Sequence, residues 1–252
     1  MIEELIVRLV PTSIWDRDPV DKCVVMADIL RASTTMVNAI HNGVKAIYPQ
    51  AEIEDSFRLA KELGDGAVLG GERGGKIIEG FDLGNSPLEY SKDRIANKNL
   101  VLCTTNGTYT LQHCRGADRV LIGAFVNLDA VCHELSQSHS GMIACAGTNR
   151  LVTDEDVLFA GAVIERLLHR NPDLIIDDAG KLAWGRWKDV NALLKSGTPF
   201  WEILSASHGG RNLVRLSCQN DIEYCSQIDS HTVVPQLDMQ SWIVRANSEV
   251  TL

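Results

Sequence analysis

The chain has no Lys/Arg-rich run and no basic excess: 24 lysines and arginines stand against 33 aspartates and glutamates, a formal net charge of -9 over 252 residues. That balance argues against broad contact with nucleic acid, which needs a basic footprint. Any anionic ligand must therefore be held by a local site. No apolar run approaches the roughly 20 residues that span a bilayer, so no membrane partner is expected. Met1 to Val10 has an apolar patch but carries Glu3, Glu4 and Arg8, and so lacks the long uncharged core of a signal peptide. The cytoplasm is the expected compartment. No Cys-x-x-Cys pair occurs among the seven cysteines, which are odd in number, scattered and mostly set in apolar runs, as at Cys23, Cys103 and Cys145. Buried thiols in a reducing compartment account for them, and a zinc site built on thiolates has no spacing to support it. Repeats and low-complexity segments are also absent.

What is present is a soluble globular composition, 45% apolar and 23% charged, long enough to bury a substantial core. Short apolar runs recur near 5–10, 23–27, 44–48, 67–70, 99–103, 119–123 and 142–146. The stretches between them are long enough for a helix, and 33–42, 53–63, 108–114 and 128–135 place apolar residues at helical spacing. Such alternation predicts an α/β fold, a mainly parallel sheet with flanking helices. A capped helix with acids in its first turn is expected from about Thr153. From about Pro172 the pattern turns helical without clear strands. The predicted division is an α/β core over 1–170 carrying most of the site, with a mostly helical C-terminal lobe over 171–252 packed on it. The glycine-rich region from Gly70 to Tyr90 breaks the rhythm and reads as a long irregular connection, a common place for function.

Chemistry concentrates at the strand ends. After the apolar run Cys23 to Ala27 come Asp28, Arg31, Ser33, Thr34 and Thr35. Arg31 is suited to clamp a phosphate or sulfonate bidentately and Asp28 to hold a divalent cation; an Asp–Arg pair and helix capping are the structural alternatives. Thr104, Thr105, Asn106, Gly107 and Thr108 follow a second strand and open a helix, where N–H groups and hydroxyls converge on an anion or simply cap the helix. Glu72 and Arg73 sit among glycines, with Asp82, Asn85 and Ser86 following in the same region. Glu155 and Asp156 open the later helix, where acids serve as caps or as oxygen ligands for Mg²⁺. Two tips of one open sheet face one crevice, so Asp28, Glu72, Glu155 and Asp156 together form a candidate metal set. Several other schemes fail on spacing. Gly70 to Lys76 fits Gly-x4-Gly-Lys, but Ile77 replaces the required Ser/Thr. A Cys-x5-Arg loop from Cys103 needs Arg where Tyr109 stands, and from Cys145 it finds Arg150 one residue early. An Asp-x-Asp pair at Asp28 meets Leu30. Most histidines lie within helical patterns; His208, beside Gly209 and Gly210, is the one that stands apart.

Asp28 to Thr35, Gly70 to Arg73, Gly80 to Pro87 and Thr104 to Thr108, in this order, resemble the 2-phosphosulfolactate phosphatase family. Gly123 to Asn127, Glu155-Asp156 ahead of Ala160 to Ala162, His208-Gly209, Asp221, Cys225, Asp229 and Val234-Pro235 extend the likeness over nearly the whole chain. The resemblance implies that family's α/β fold and a Mg²⁺-dependent phosphomonoesterase hydrolysing 2-phospho-3-sulfolactate to 3-sulfolactate and phosphate, a step on a route to coenzyme M. On this reading Asp28, Arg31 and Asp82 are the catalytic candidates, with water as the preferred nucleophile, Asp28 or Asp82 as its base, and a hydroxyl among Ser33, Thr34 and Thr105 as the alternative nucleophile. Ser33, Thr34, Thr35, Arg73, Asn85, Ser86 and Thr104 to Thr108 are the substrate-binding candidates, and Asp28, Glu72, Glu155 and Asp156 the Mg²⁺ ligands. The expected partner is a small anionic phosphorylated substrate, and a homo-oligomer is the base-rate expectation. Alternatives are a phosphatase for another small phosphorylated hydroxyacid, a phosphotransferase or isomerase, and a non-catalytic small-anion-binding protein. One segment departs from the family pattern: Gly147 to Asp154 lacks a glycine expected a few residues before the paired acids, and Asp154 stands where an apolar residue is expected.

Overall fold

The computed structural model describes residues 2–247. In chain order its strands are β1 (Glu4–Arg8), β2 (Cys23–Ala27), β3 (Ala46–Gln50), β4 (Ala67–Arg73), β5 (Lys76–Ile77), β6 (Asn99–Cys103), β7 (Arg119–Ile122), β8 (Ser140–Cys145), β9 (Ile175–Ile176), β10 (Pro235–Asp238) and β11 (Ile243–Ala246). The helices are α1 (Ala32–His41), α2 (Ile53–Leu63), α3 (Lys92–Ile95), α4 (Gly107–His113), α5 (Leu128–Ser136), α6 (Asp154–Arg170), α7 (Asp178–Lys195), α8 (Phe200–Ser205), α9 (His208–Arg215) and α10 (Gln219–Cys225). The fold is the expected α/β architecture, a large and mostly parallel sheet flanked by helices.

The central strands are buried on both faces because helices cover both, which is why their sequences are apolar without alternation: every residue of β2 is buried. β2 pairs in parallel with β7 and β8, and β8 with β1. A second parallel set is formed by β4, β6 and β3. Between the two sets lies the antiparallel β10–β11 hairpin, with β10 on β7 and β11 on β3. This corrects the expectation that no strands follow Pro172. β10 and β11 have only four residues each, and their place in the sheet comes from partners more than a hundred residues away. Three successive antiparallel pairings make the β4–β6–β3 set run opposite to β2 and its neighbours. Strand twist of ~20–25° per pairing accumulates over the five pairings from β2 to β6, and the C-terminal tips of the two sets meet. The contact is close: a Cβ on Gly107, the first residue of α4, would sit 3.0 Å from the Ala32 Cβ and 3.2 Å from Asp28 Oδ2.

The glycine-rich region is more regular than its composition implies. β4 continues through Arg73 and returns as β5 across Gly74 and Gly75, both at positive φ (61° and 79°), the two-residue turn that matches strand twist. One apolar cluster takes in Ile2 and Leu5 as well as Leu213, Ile222, Leu237 and Val244, so the C-terminal helices and hairpin share a core with the first strands. Burial pushes the thiols of Cys114, Cys132 and Cys225 up to about 12, which leaves them as packing groups. No helix among the described residues is long and apolar enough to cross a membrane.

Candidate active site

A polar cavity of about 100 Å³ opens where the strand tips meet. Asp28, Leu30 and Arg31 from the end of β2, Glu72, Gly74 and Gly75 from the β4–β5 hairpin, and Asn85 line it, together with Thr105 and Asn106 after β6 and Thr148 and Asn149 after β8. Gly209, Asn212 and Leu213 of α9 complete the wall. Asp28, Arg31, Glu72 and Asn85 are buried, whereas Thr105 and Asn149 are exposed. The buried set is the floor and the exposed pair marks the rim.

The hydroxyls after β2 build this floor rather than line it. Ser33 Oγ accepts the Asp28 N–H at 2.7 Å, Thr34 Oγ1 donates to the Ile29 carbonyl at 3.0 Å, and Thr35 Oγ1 donates to the Asn85 carbonyl at 2.9 Å. α1 is buried from Ala32 through Ile40, so its first-turn hydroxyls satisfy neighbouring backbone instead of reaching a ligand. Thr104 and Thr108 pair with each other at 3.2 Å. Thr105 reaches the cavity, and Asn106 does too while its Oδ1 accepts the Asn149 N–H at 3.2 Å.

The four acids divide by what already occupies their oxygens. Glu72 accepts the N–H of Thr105 on one oxygen and that of Gly75 on the other, both at 2.8 Å, and so locks the β4–β5 turn to the turn after β6. Asp156 does the same between β2 and β8, taking the Ile29 N–H at 2.9 Å and the Gly147 N–H at 2.8 Å. Burial, with Glu155 and Asp28 close by, holds the Asp156 carboxyl well above the usual range. Neutral or ionised, that carboxyl offers an acceptor to each N–H; an amide offers only one. Asp156→Asn is therefore expected to cost about 2 kcal/mol or more, read as a lower urea midpoint with an unchanged slope. Asp28 is different: Oδ1 has a single long contact from the Ala32 N–H, 3.4 Å, while Oδ2 faces Gly107. Burial, then the charges of Glu72 and Glu155, raises its carboxyl to about 7. Glu155 is 2% exposed, its Oε2 has no hydrogen-bond partner among the described residues, and burial raises its carboxyl as well. The backbone of Gly209 presses against Glu155 Oε1 where any Cβ would collide.

Arg31 is fixed by two partners, Asp221 Oδ2 at 2.5 Å and the Gly75 carbonyl at 2.9 Å. Asp221 is buried on α10 and takes a second bond from Ser86 Oγ at 2.6 Å, so Ser86 supports the Arg31 mount. The Arg31–Asp221 pair spans 190 positions and had no local signal. Arg73 lies outside the cavity, with its guanidinium on the carbonyls of Ala51 and Glu72 and on Cys103 Sγ. Asp82 is exposed and accepts the Leu69 N–H at 2.9 Å, lining a separate hollow with Arg94 and Lys98. His208 is exposed at the start of α9, where it lowers the Glu155 carboxyl slightly against the effect of burial. Asn212 lines the cavity with no sequence signal of its own, Thr148 and Asn149 belong to the segment that departs from the family pattern, and Gly209 entered beside His208; Gly209 and Asn212 are three apart on α9, a spacing that puts them on one helix face.

The donor chemistry fits a hard divalent cation. Asp28 and Glu155 both offer carboxylate oxygens that no protein donor claims, and the unpartnered Glu155 Oε2 is a group whose burial calls for a counter-charge. No cluster of three or more metal-binding side chains is preassembled among the described residues, so substrate and water would have to complete the coordination.

Residues 9–240 match the family model of 2-phosphosulpholactate phosphatase, and the chain belongs to this family of phosphoric monoester hydrolases. It is 36% identical over 239 residues, 94% of its length and 95% of the relative's, to a probable 2-phosphosulfolactate phosphatase of Caldanaerobacter subterraneus subsp. tengcongensis. Proteins of the same name from Caldicellulosiruptor saccharolyticus, 38% identical over 83% of this chain and 86% of the relative, and Thermotoga maritima, 36% identical over 84% and 88%, are similarly close.

Proposed function

We propose that this chain hydrolyses the phosphomonoester of 2-phospho-3-sulfolactate, with Mg²⁺, releasing phosphate and 3-sulfolactate of the kind a coenzyme M route consumes. The observation that carries the reading is Asp28: a carboxyl raised to about 7, with an unclaimed oxygen, on the floor of a polar cavity shared with a fixed arginine. Family membership and the names of the relatives supply the substrate.

Asp28 and Glu155 are the residues that would hold Mg²⁺, which when bound neutralises phosphoryl oxygens and sharpens the electrophilic phosphorus. Arg31, its fork set by Asp221 and Gly75, donates to the phosphoryl group and fixes its orientation. A water aligned by the remaining oxygen of Asp28 forms the new P–O bond, and the bond to the hydroxyacid oxygen breaks in line with it. Asp28, as the carboxylate, takes the proton of the water. The departing oxygen is reprotonated from solvent at the open rim. Asp82, exposed beside Leu69, has no part in this scheme, and Arg73 acts by holding the end of β4.

The test is phosphate release from 2-phospho-3-sulfolactate, 2-phospholactate and phosphoglycerate, first with Mg²⁺ and then with chelator. Release that prefers the sulfonated ester and falls at least a hundredfold in chelator is the expected result. Release only when an acceptor is added would point to a phosphotransferase, and metal-independent binding without turnover to an anion-binding protein.

A further inference from the structure

We infer that Arg150 is a specificity residue for the second acidic group of the substrate, a group such as sulfonate at the end away from the phosphate. The inference rests on the phosphatase reading for the placement of the phosphate against Asp28 and Arg31. The turn Thr148 to Leu151 is closed by paired backbone hydrogen bonds of 3.0 Å between its end residues. Its two central residues, Asn149 and Arg150, have φ of 53° and 65°. This conformation suits Asn and Gly, and an arginine there is strained. The chain thus carries a strained cation at the rim of the cavity that Thr148 and Asn149 line.

The arginine is also unspent. Its guanidinium lies 5.3 Å above the Tyr109 ring on α4, an exposed cation–π contact that is weak compared with a charge-assisted bond to an anion. Among the described residues it makes no ion pair, whereas Arg31 is committed to Asp221 and Arg73 to backbone carbonyls. A phosphate seated on the buried floor leaves the rest of the ester pointing toward the exposed rim. Asn106 holds the turn at that rim through the Asn149 N–H, so Arg150 need only leave Tyr109 to meet the acidic tail.

The experiment uses the full chain and its Arg150→Gly and Arg150→Lys variants. KM is measured for 2-phospho-3-sulfolactate and 2-phospholactate, and calorimetry measures binding of 3-sulfolactate and lactate. Arg150→Gly should raise KM for the sulfonated ester about tenfold, change KM for phospholactate less than twofold, weaken 3-sulfolactate in parallel, and raise Tm by ~2–4 °C as the turn relaxes. Arg150→Lys should keep part of the discrimination without the gain in Tm. Equal effects on both esters, no effect on either, or wild-type protein that does not prefer 3-sulfolactate to lactate would overturn the assignment. Arg150-dependent binding of 3-sulfolactate by a protein that hydrolyses none of the esters would sustain the assignment and remove the phosphatase.

Discussion

Asp28→Asn should lower kcat by about a thousandfold and at the same time make the metal-free protein more stable above pH 7. The loss of rate follows from removing the buried carboxyl that lines the cavity with an unclaimed oxygen and that orients and deprotonates water; general-base and electrostatic roles of this kind are each worth ~10²–10⁴. The gain in stability follows from linkage. The folded Asp28 carboxyl is raised to about 7, chiefly by burial, from an ordinary value of 3.8. Below pH 4 both folded and unfolded chains hold the proton, and the group contributes nothing. Between pH 4 and 7 the unfolded chain releases a proton that the folded chain retains, so stability falls as pH rises, and above 7 the full penalty is present. Asparagine has no such slope. Thermal melts in chelator from pH 5 to 8 should therefore show wild type losing Tm with pH more steeply than the variant, and Mg²⁺ should raise Tm only in wild type. Near-normal turnover, or melts that stay parallel across the range, would remove Asp28 from its place.

Much of the fold was legible because its central strands announce themselves as unbroken apolar runs. β2, β6 and β8 fall where the runs fall, and the helical spacing of 53–63 marks α2 to the residue. The β10–β11 hairpin was not legible, since Pro235–Asp238 and Ile243–Ala246 are four residues each, interrupted by Gln236, Asp238 and Arg245, and strands only by virtue of β7 and β3. At the site, Asp28, Arg31, Glu72, Glu155 and Asp156 were found as residue types at strand and helix ends; Asp28, Arg31 and Glu72 line one cavity, while Glu155 lies behind Gly209 of its wall and Asp156 braces the Ile29 and Gly147 backbone. Direction was harder to read. Glu72 and Arg73 are consecutive in β4, and consecutive strand residues point to opposite faces, so a Glu72 turned inward sends Arg73 to the far side. The hydroxyls of Ser33, Thr34 and Thr35 signalled a polar helix start, but not that α1 is enclosed on every side. The Arg31–Asp221 pair is tertiary throughout: nothing near Asp221 tells that its partner is an arginine at the tip of β2.

Gly71→Ala should cost about 3 kcal/mol or more. Gly71 has φ of 146°, a region that side chains avoid. A Cβ there would overlap the main-chain carbonyl of Cys103, its ladder partner in β6, and a strand backbone cannot swing aside as a flexible side chain can. Strain of this kind costs ~1–3 kcal/mol, and overpacking a filled interior costs as much again. The damage reaches the chemistry, because the next residue is Glu72, whose two oxygens tie the β4–β5 turn to Thr105. Once β4 is pushed from β6, that bracket opens and the cavity loses one wall, so residual activity per folded molecule should fall at least tenfold. Gly74→Ala is the control: its φ of 61° is also positive, but its Cβ would meet nothing within 4 Å, and the expected cost is only about 1 kcal/mol. Urea melts of the two variants beside wild type separate the effects. Equal losses would mean that backbone conformation alone governs both sites; a much larger loss at Gly71 means that the close approach of β4 and β6 is what sets Glu72 in place.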